Sequence, residues 1–200
     1  MTTSVRSLRA DAARNRDLLL SAAEDEFAAR GVEASIADIA RRAGLAKGTV
    51  FRHFATKEKL IAAIVAKHIA VLTATAKALV DAADPGGALL EFLTAAADRR
   101  QQRDLTYLMS ISADDSTVKQ IRDQLHDDIG SLVDRARSSG AVRSDITGTD
   151  VFLLICAPVH VMENLPGAPP DLWRRYLGII FDGLRPEGAN PLPGPVPDWT

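Results

Sequence analysis

Apolar residues recur along this chain at helical spacing. Leu19, Ala22, Ala23 and Phe27 make one stripe over Arg14–Arg30, and Gly31 closes it. Ile36, Ile39 and Ala40 stripe a short second helix, with Ser35 placed to cap it and Gly44 placed to end it in a left-handed turn. A third short helix is expected from about Ala46 to His53. Val50 and Phe54 turn inward there, and Lys47, Thr49, Arg52 and His53 turn outward. Thr56 can cap a fourth helix from Lys57 to about Ala83, roughly 40 Å long at 1.5 Å per residue. Asp84-Pro85-Gly86-Gly87 breaks it.

Further stripes predict helices over Ala88–Arg100, Leu105–Ser112 and Ser116–Ser138, a loop at Ala141–Gly148, and helices over Asp150–Asn164 and Pro170–Leu184. Val151–Val159 is almost wholly apolar, so burial on several sides is expected, with a kink at Pro158. Met1–Ala13 reads as a flexible arm carrying Arg6 and Arg9, and Pro186–Thr200 as a disordered tail. The class is all-α: a three-helix head (residues 1–56), joined by a long helix to a six-helix body (57–185), then the tail (186–200).

Small Ala40, glycine four positions on and apolar Val50 six further fit a helix-turn-helix. In that motif the second helix enters the major groove of DNA. An ordinary helical hairpin would satisfy the bare spacing equally well. The surrounding run GLAKGTVFRHFATKEKL decides between them, because it closely resembles the DNA-binding domain of the tetracycline-repressor-like (TetR) family. Arg16, Leu19, Ala22, Ala23, Phe27 and Gly31 match that family's first helix. The resemblance is strong over about Arg14–Leu60. Phe51 departs from it, since the family usually has tyrosine there, and phenylalanine has no hydroxyl to offer a phosphate.

The resemblance implies DNA contacts from Ser35, Lys47, Gly48, Thr49, Phe51, Arg52, His53 and Lys57. It implies a small-molecule pocket in the body, for which Phe92, Tyr107, Met109, His126, Cys156 and His160 are the candidates. It also implies a homodimer. The broad faces of the last two helices offer Leu154, Ile155, Val161, Trp173, Tyr176, Leu177, Ile180 and Phe181 for that pairing.

Charge sharpens this picture modestly. The first 59 residues carry 11 Lys and Arg against 8 Asp and Glu, and the rest carry 13 against 18. A basic head on an acidic body suits local phosphate contact. One cysteine allows no internal disulfide, which points to the cytoplasm. There is no apolar signal core, the longest apolar run is too short to span a bilayer, and no membrane partner is expected. Four scattered histidines have no metal-ligand spacing, and no nucleophile elbow or phosphate loop appears, so neither metal, cofactor nor catalysis is expected.

The function expected is a repressor that binds a near-palindromic operator as a homodimer and is released by a small, mostly apolar molecule. A helical small-molecule binder without a working DNA head, a TetR-like activator, and an enzyme using the body cavity are the alternatives.

Overall fold

The computed structural model describes residues 2–102, 106–155, 167, 169–187 and 189–195. Every regular element among them is helical: α1 (Thr2–Arg30), a 3₁₀ turn (Gly31–Glu33), α2 (Ile36–Arg42), α3 (Lys47–His53), α4 (Lys57–Leu79), α5 (Pro85–Gln102), α6 (Thr106–Ile111), α7 (Ser116–Ser138), α8 (Gly148–Leu154) and α9 (Trp173–Gly183). Pro158 and the later part of the helix expected to Asn164 lie outside the described residues.

The N-terminal segment expected to be a flexible arm is helical instead, continuous with α1. Residues 2–13 contain no glycine or proline, and adding residues to a helix already nucleated is far easier than starting one. α1 stops at Gly31, whose φ of 59° suits glycine.

α4 ends at Leu79 rather than near Ala83, which makes it about 35 Å long. It is long and apolar enough to cross a membrane, with a mean hydropathy of 1.5 over its best window. Part of this apolar surface is packed against protein: Leu60, Ile61, Ile64, Val65, Ile69 and Ala76 are buried, while Val71 is exposed.

Gly86 and Gly87 do not break the chain. They lie inside α5, with Pro85 at its first position. Asp84 caps this helix, its Oδ1 accepting from the Gly87 amide at 3.0 Å. A Cβ at Gly87 would lie 2.5 Å from the Asp84 carboxylate, and one at Gly86 would lie 2.8 Å from the Ala141 side chain. Gly86 is therefore needed for close approach, whereas a side chain at Gly87 would have to displace the Asp84 carboxylate from its cap.

α7 spans the expected residues. It closes on Gly140 (φ 72°), with the Ala141 amide on the Ala136 carbonyl and the Gly140 amide on the Arg137 carbonyl. α8 begins two residues earlier than expected, because Thr147 and Asp150 form a reciprocal capping box. Gly148 in its first turn touches α7 so closely that a Cβ would meet the Gly130 backbone at 2.8 Å.

α8 is not buried all round, since Leu153 is 56% exposed. α9 begins at Trp173, three residues later than expected. The segment after α9 is tied down over residues 190–192. Arg143 pairs bidentately with Asp145 (2.6 and 2.8 Å) and also donates to the Asn190 carbonyl. The Arg143 hydrogen bonds hold the Asp145 carboxyl down at about 2, and a backbone bond from Leu192 contributes.

The chain packs as two units: Met1–Lys67 with Asp104–Val118, and His68–Arg103 with Lys119–Thr200. A cut after residue 56 therefore falls inside the first unit, and α6 groups with the helix-turn-helix rather than with the body. Two bonds show why. The Tyr107 hydroxyl donates to the Phe27 carbonyl at 2.7 Å, and Lys59 meets Asp115 at 2.7 Å. In the second unit, α9 packs on α5.

Candidate nucleic-acid interface

Three short-range devices build the α2–α3 pair. Ser35 caps α2, its Oγ accepting from the Asp38 amide at 3.1 Å and donating to the Asp38 carboxylate at 2.7 Å. This bond, together with Arg41, holds the Asp38 carboxyl below the usual carboxylate range. Gly44 then makes the turn at φ 67°, with the Leu45 amide on the Ala40 carbonyl and the Gly44 amide on the Arg41 carbonyl. Ile39, Ala40, Val50 and Phe54 are buried and seat α3.

The arginines of α2 are occupied. Arg41 pairs with Asp38, and Arg42 donates to Glu26 at 2.6 Å. Glu26 is only 4% exposed and reaches across from α1, so it clamps α1 to α2 and pushes the Arg42 guanidinium further up. Glu24 does the same for α4, meeting Lys67 at 3.0 Å. Neither clamp is foreseen by the sequence pattern. Its signal there is faint: two glutamates beside the Ala23–Phe27 stripe, on the side that turns inward.

On α3, Lys47, Gly48, Phe51 and Arg52 are exposed, at positions i, i+1, i+4 and i+5 of one face. The Lys47 ammonium lies 6.0 Å from the Phe51 ring centroid, and Phe51 is 47% exposed. Gly48 has nothing within 4 Å of a would-be Cβ, so nothing in the described structure requires glycine there.

Three expectations are corrected. Thr49 does not face outward. It is 9% exposed, and its Oγ1 accepts from Arg52 Nη2 at 3.1 Å, which leaves it to orient the arginine. His53 is half-buried, with its ring 6.3 Å from Phe54. Lys57 is half-buried too. It donates to the Val32 carbonyl and lies 5.7 Å from the Phe27 ring, so its ammonium serves the head's own packing. Ser35 is exposed at the α2 N-terminus, as expected.

The described pocket candidates are divided between the two units. Phe92 is buried in the second unit. Tyr107 and half-buried Met109 belong to the first. His126 lies on an open polar groove of about 370 Å³ between α7 and the start of α8, with Nε2 2.9 Å from Thr149 Oγ1. Cys156 and His160 lie outside the described residues. No cluster of metal-ligating side chains occurs among the described residues.

The dimer candidates divide as well. Trp173, Leu177, Phe181 and Ile155 are buried within the protomer. Leu154 and Ile180 are half-buried, Tyr176 is exposed, and Val161 lies outside the described residues. The exposed apolar residues here include two that sequence reasoning passes over, Leu153 and Ile179, each 56% exposed.

A capped helix, a glycine turn and a second helix with a bare cationic face are the parts of a helix-turn-helix regulator. Comparison with known proteins agrees. Residues 19–64 match the bacterial regulatory proteins of the TetR family, and residues 84–186 match the C-terminal domain of SbtR-like transcriptional regulators. The chain is 32% identical to a TetR transcription regulatory protein from Mycobacterium vanbaalenii, covering 89% of this chain and 99% of that one with a TM-score of 0.64. It is 29% identical to a TetR transcriptional regulator from Streptomyces coelicolor, over 86% and 98% of the two chains, TM-score 0.60. It is also 53% identical over 47 residues to an HTH-type transcriptional repressor from Mycobacterium tuberculosis, a match that spans 23% of this chain and only a quarter of that relative's length. This chain belongs to the TetR family of transcriptional regulators.

Proposed function

We propose that the protein is a repressor that binds a near-palindromic operator as a homodimer and leaves it when a small molecule occupies the second unit. The observation that carries this reading is the α3 face. Lys47, Gly48, Phe51 and Arg52 are bare, while Val50 and Phe54 behind them are buried. Lys47 and Arg52 can donate to phosphates or guanine edges, and the Thr49 hydroxyl holds Arg52 in place. Gly48 lets the helix backbone approach the duplex. Phe51 has no hydroxyl for a phosphate and offers an apolar edge to a thymine methyl. One helix of seven residues reads few bases, so a two-fold pair is needed for useful selectivity.

For pairing, the structure favours Leu153, Tyr176, Ile179 and Ile180 over the side chains spent on the protomer core. The M. tuberculosis relative's description as a repressor supports the direction of regulation.

The direct test is a fluorescence-anisotropy titration on duplex DNA from upstream of the protein's own gene, at fixed salt. Wild type should bind in preference to a scrambled duplex, and the Lys47→Ala/Arg52→Ala protein should lose that preference. Equal binding by both proteins would remove the α3 face from the account.

A further inference from the structure

Arg16 stands on α1 three positions before Leu19, seven before Ala23 and eleven before Phe27, so it continues their buried stripe toward the N-terminus. It is exposed all the same, and so are residues 10–14 ahead of it, because the packing of the head ends at this point. Its guanidinium carbon lies 5.3 Å from the centroid of the Phe54 ring. Phe54 closes α3, and its own side chain is buried. Arg16 therefore brings a cation from α1 to the C-terminal end of the helix whose outer face holds Lys47, Gly48, Phe51 and Arg52. All of these residues belong to the first unit.

Other cations of the head are spent. Arg30 meets Glu26 and Asp38, Arg41 meets Asp38, Arg42 meets Glu26 and Asp25, Lys59 meets Asp115, and Lys67 meets Glu24. Lys57 donates to the Val32 carbonyl. Arg16 has no carboxylate within pairing distance among the described residues, although exposed Asp17 follows it in sequence. Consecutive helical residues point apart. The Phe54 ring attracts the cation through its face and uses none of the in-plane N–H donors of the guanidinium. A guanidinium held beside a ring with its donors free suits an anion that arrives from outside.

We infer that Arg16 binds a DNA phosphate at the edge of the α3 face, a contact that fixes position and carries no sequence information. α3 has seven residues, and so is about 10 Å long, while the major groove is about 12 Å wide. A side chain that reaches past the end of α3 meets the phosphates that border the groove. Arg16 extends the cationic strip of Lys47 and Arg52 from α3 onto α1. The inference rests on reading α3 as the DNA-contacting helix, and it adds a contact from a helix outside the helix-turn-helix.

The test is a fluorescence-anisotropy titration of the full-length protein on the upstream duplex and on a scrambled one, from about 50 to about 200 mM salt. Arg16→Met keeps an apolar stem beside the Phe54 ring and removes the charge. It should bind both duplexes about tenfold more weakly at the lower salt, with the preference between them unchanged. The rise in salt should cost it roughly threefold less affinity than it costs wild type, which is the share of one phosphate contact. Arg16→Lys should restore most of the affinity and the wild-type salt dependence, since an ammonium also neutralises a phosphate. A purely structural role for Arg16 would lower the amount of active protein and leave the salt dependence of its binding as in wild type. The inference is overturned if Arg16→Met keeps the wild-type salt dependence, if it changes the preference between the duplexes, or if Arg16→Lys is as weak as Arg16→Met. Wild type with no preference between the duplexes would overturn the reading of α3 instead, and the α1 contact would still be decided by the salt dependence on either duplex.

Discussion

α3 and α9 are both short amphipathic helices, and each buries a few side chains against its own unit. They differ in what remains outside. α3 leaves Lys47, Gly48, Phe51 and Arg52, a cationic face with one glycine. α9 leaves Tyr176 and Ile179 exposed, beside Arg174, Arg175 and Asp182. The buried sides hold the fold and say little about function. Under the proposed function the exposed sides meet different partners: a polyanion for α3, another protein surface for α9.

The sharpest separation should come from two substitutions on α9. Trp173→Ala removes a side chain only 1% exposed and should destabilise the protomer by about 3–5 kcal/mol, read by denaturant unfolding. Ile179→Glu, on the opposite side, should leave unfolding of the protomer nearly unchanged and place two unpaired charges in a two-fold interface. Sedimentation at micromolar concentration should then give monomer where wild type gives dimer. A dimer that survives Ile179→Glu would break the assignment of Ile179 to the interface.

The same logic explains what the sequence discloses. Stripes fix the inside of a helix, so the all-helical class and the Ser35 and Gly44 devices can be read directly from pattern. A stripe also makes Trp173, Leu177 and Phe181 look like interface, because pattern alone cannot separate an apolar face spent on the protomer's own α5 from one left bare. Ile179 belongs to the same helix and is hidden by that ambiguity. Thr49 and Lys57 mislead for a related reason. Pattern assigns polar residues to the outside, yet a hydroxyl that accepts from Arg52 and an ammonium that donates to Val32 are content inside. The glycines after Asp84 read as breakers, since a close approach to Ala141 leaves no trace in local sequence.

On α3, Lys47→Ala and Arg52→Ala should each weaken operator binding by about 1–3 kcal/mol. Melting should barely change for Lys47, and the salt slope of binding should fall by about one for each phosphate no longer neutralised. Ser35→Ala should cost about 1 kcal/mol of stability by removing the α2 cap, with DNA affinity following only as far as α2 frays.

Two smaller effects refine the comparison. Asp145 is held at about 2, below its ordinary 3.8, so its tie to Arg143 contributes fully above about pH 4 and is lost as pH falls through about 2. Asp145→Asn should therefore flatten the acid limb of the melting curve without altering stability's pH dependence near neutrality. Gly48→Ala should stabilise α3 by about 0.5–1 kcal/mol, since nothing lies within 4 Å of the added methyl, and yet weaken operator binding. A variant that gains stability and keeps full DNA affinity would show that Gly48 does not approach the duplex.

The most direct measurement is selection of the full-length protein on a pool of randomised duplexes at physiological salt. Wild type should recover an inverted repeat whose half-sites lie a whole number of helical turns apart, about 34–36 Å or a multiple of it, and the Lys47→Ala/Arg52→Ala protein should lose that enrichment. Recovery of no common sequence, or of the same sequences by both proteins, would contradict it.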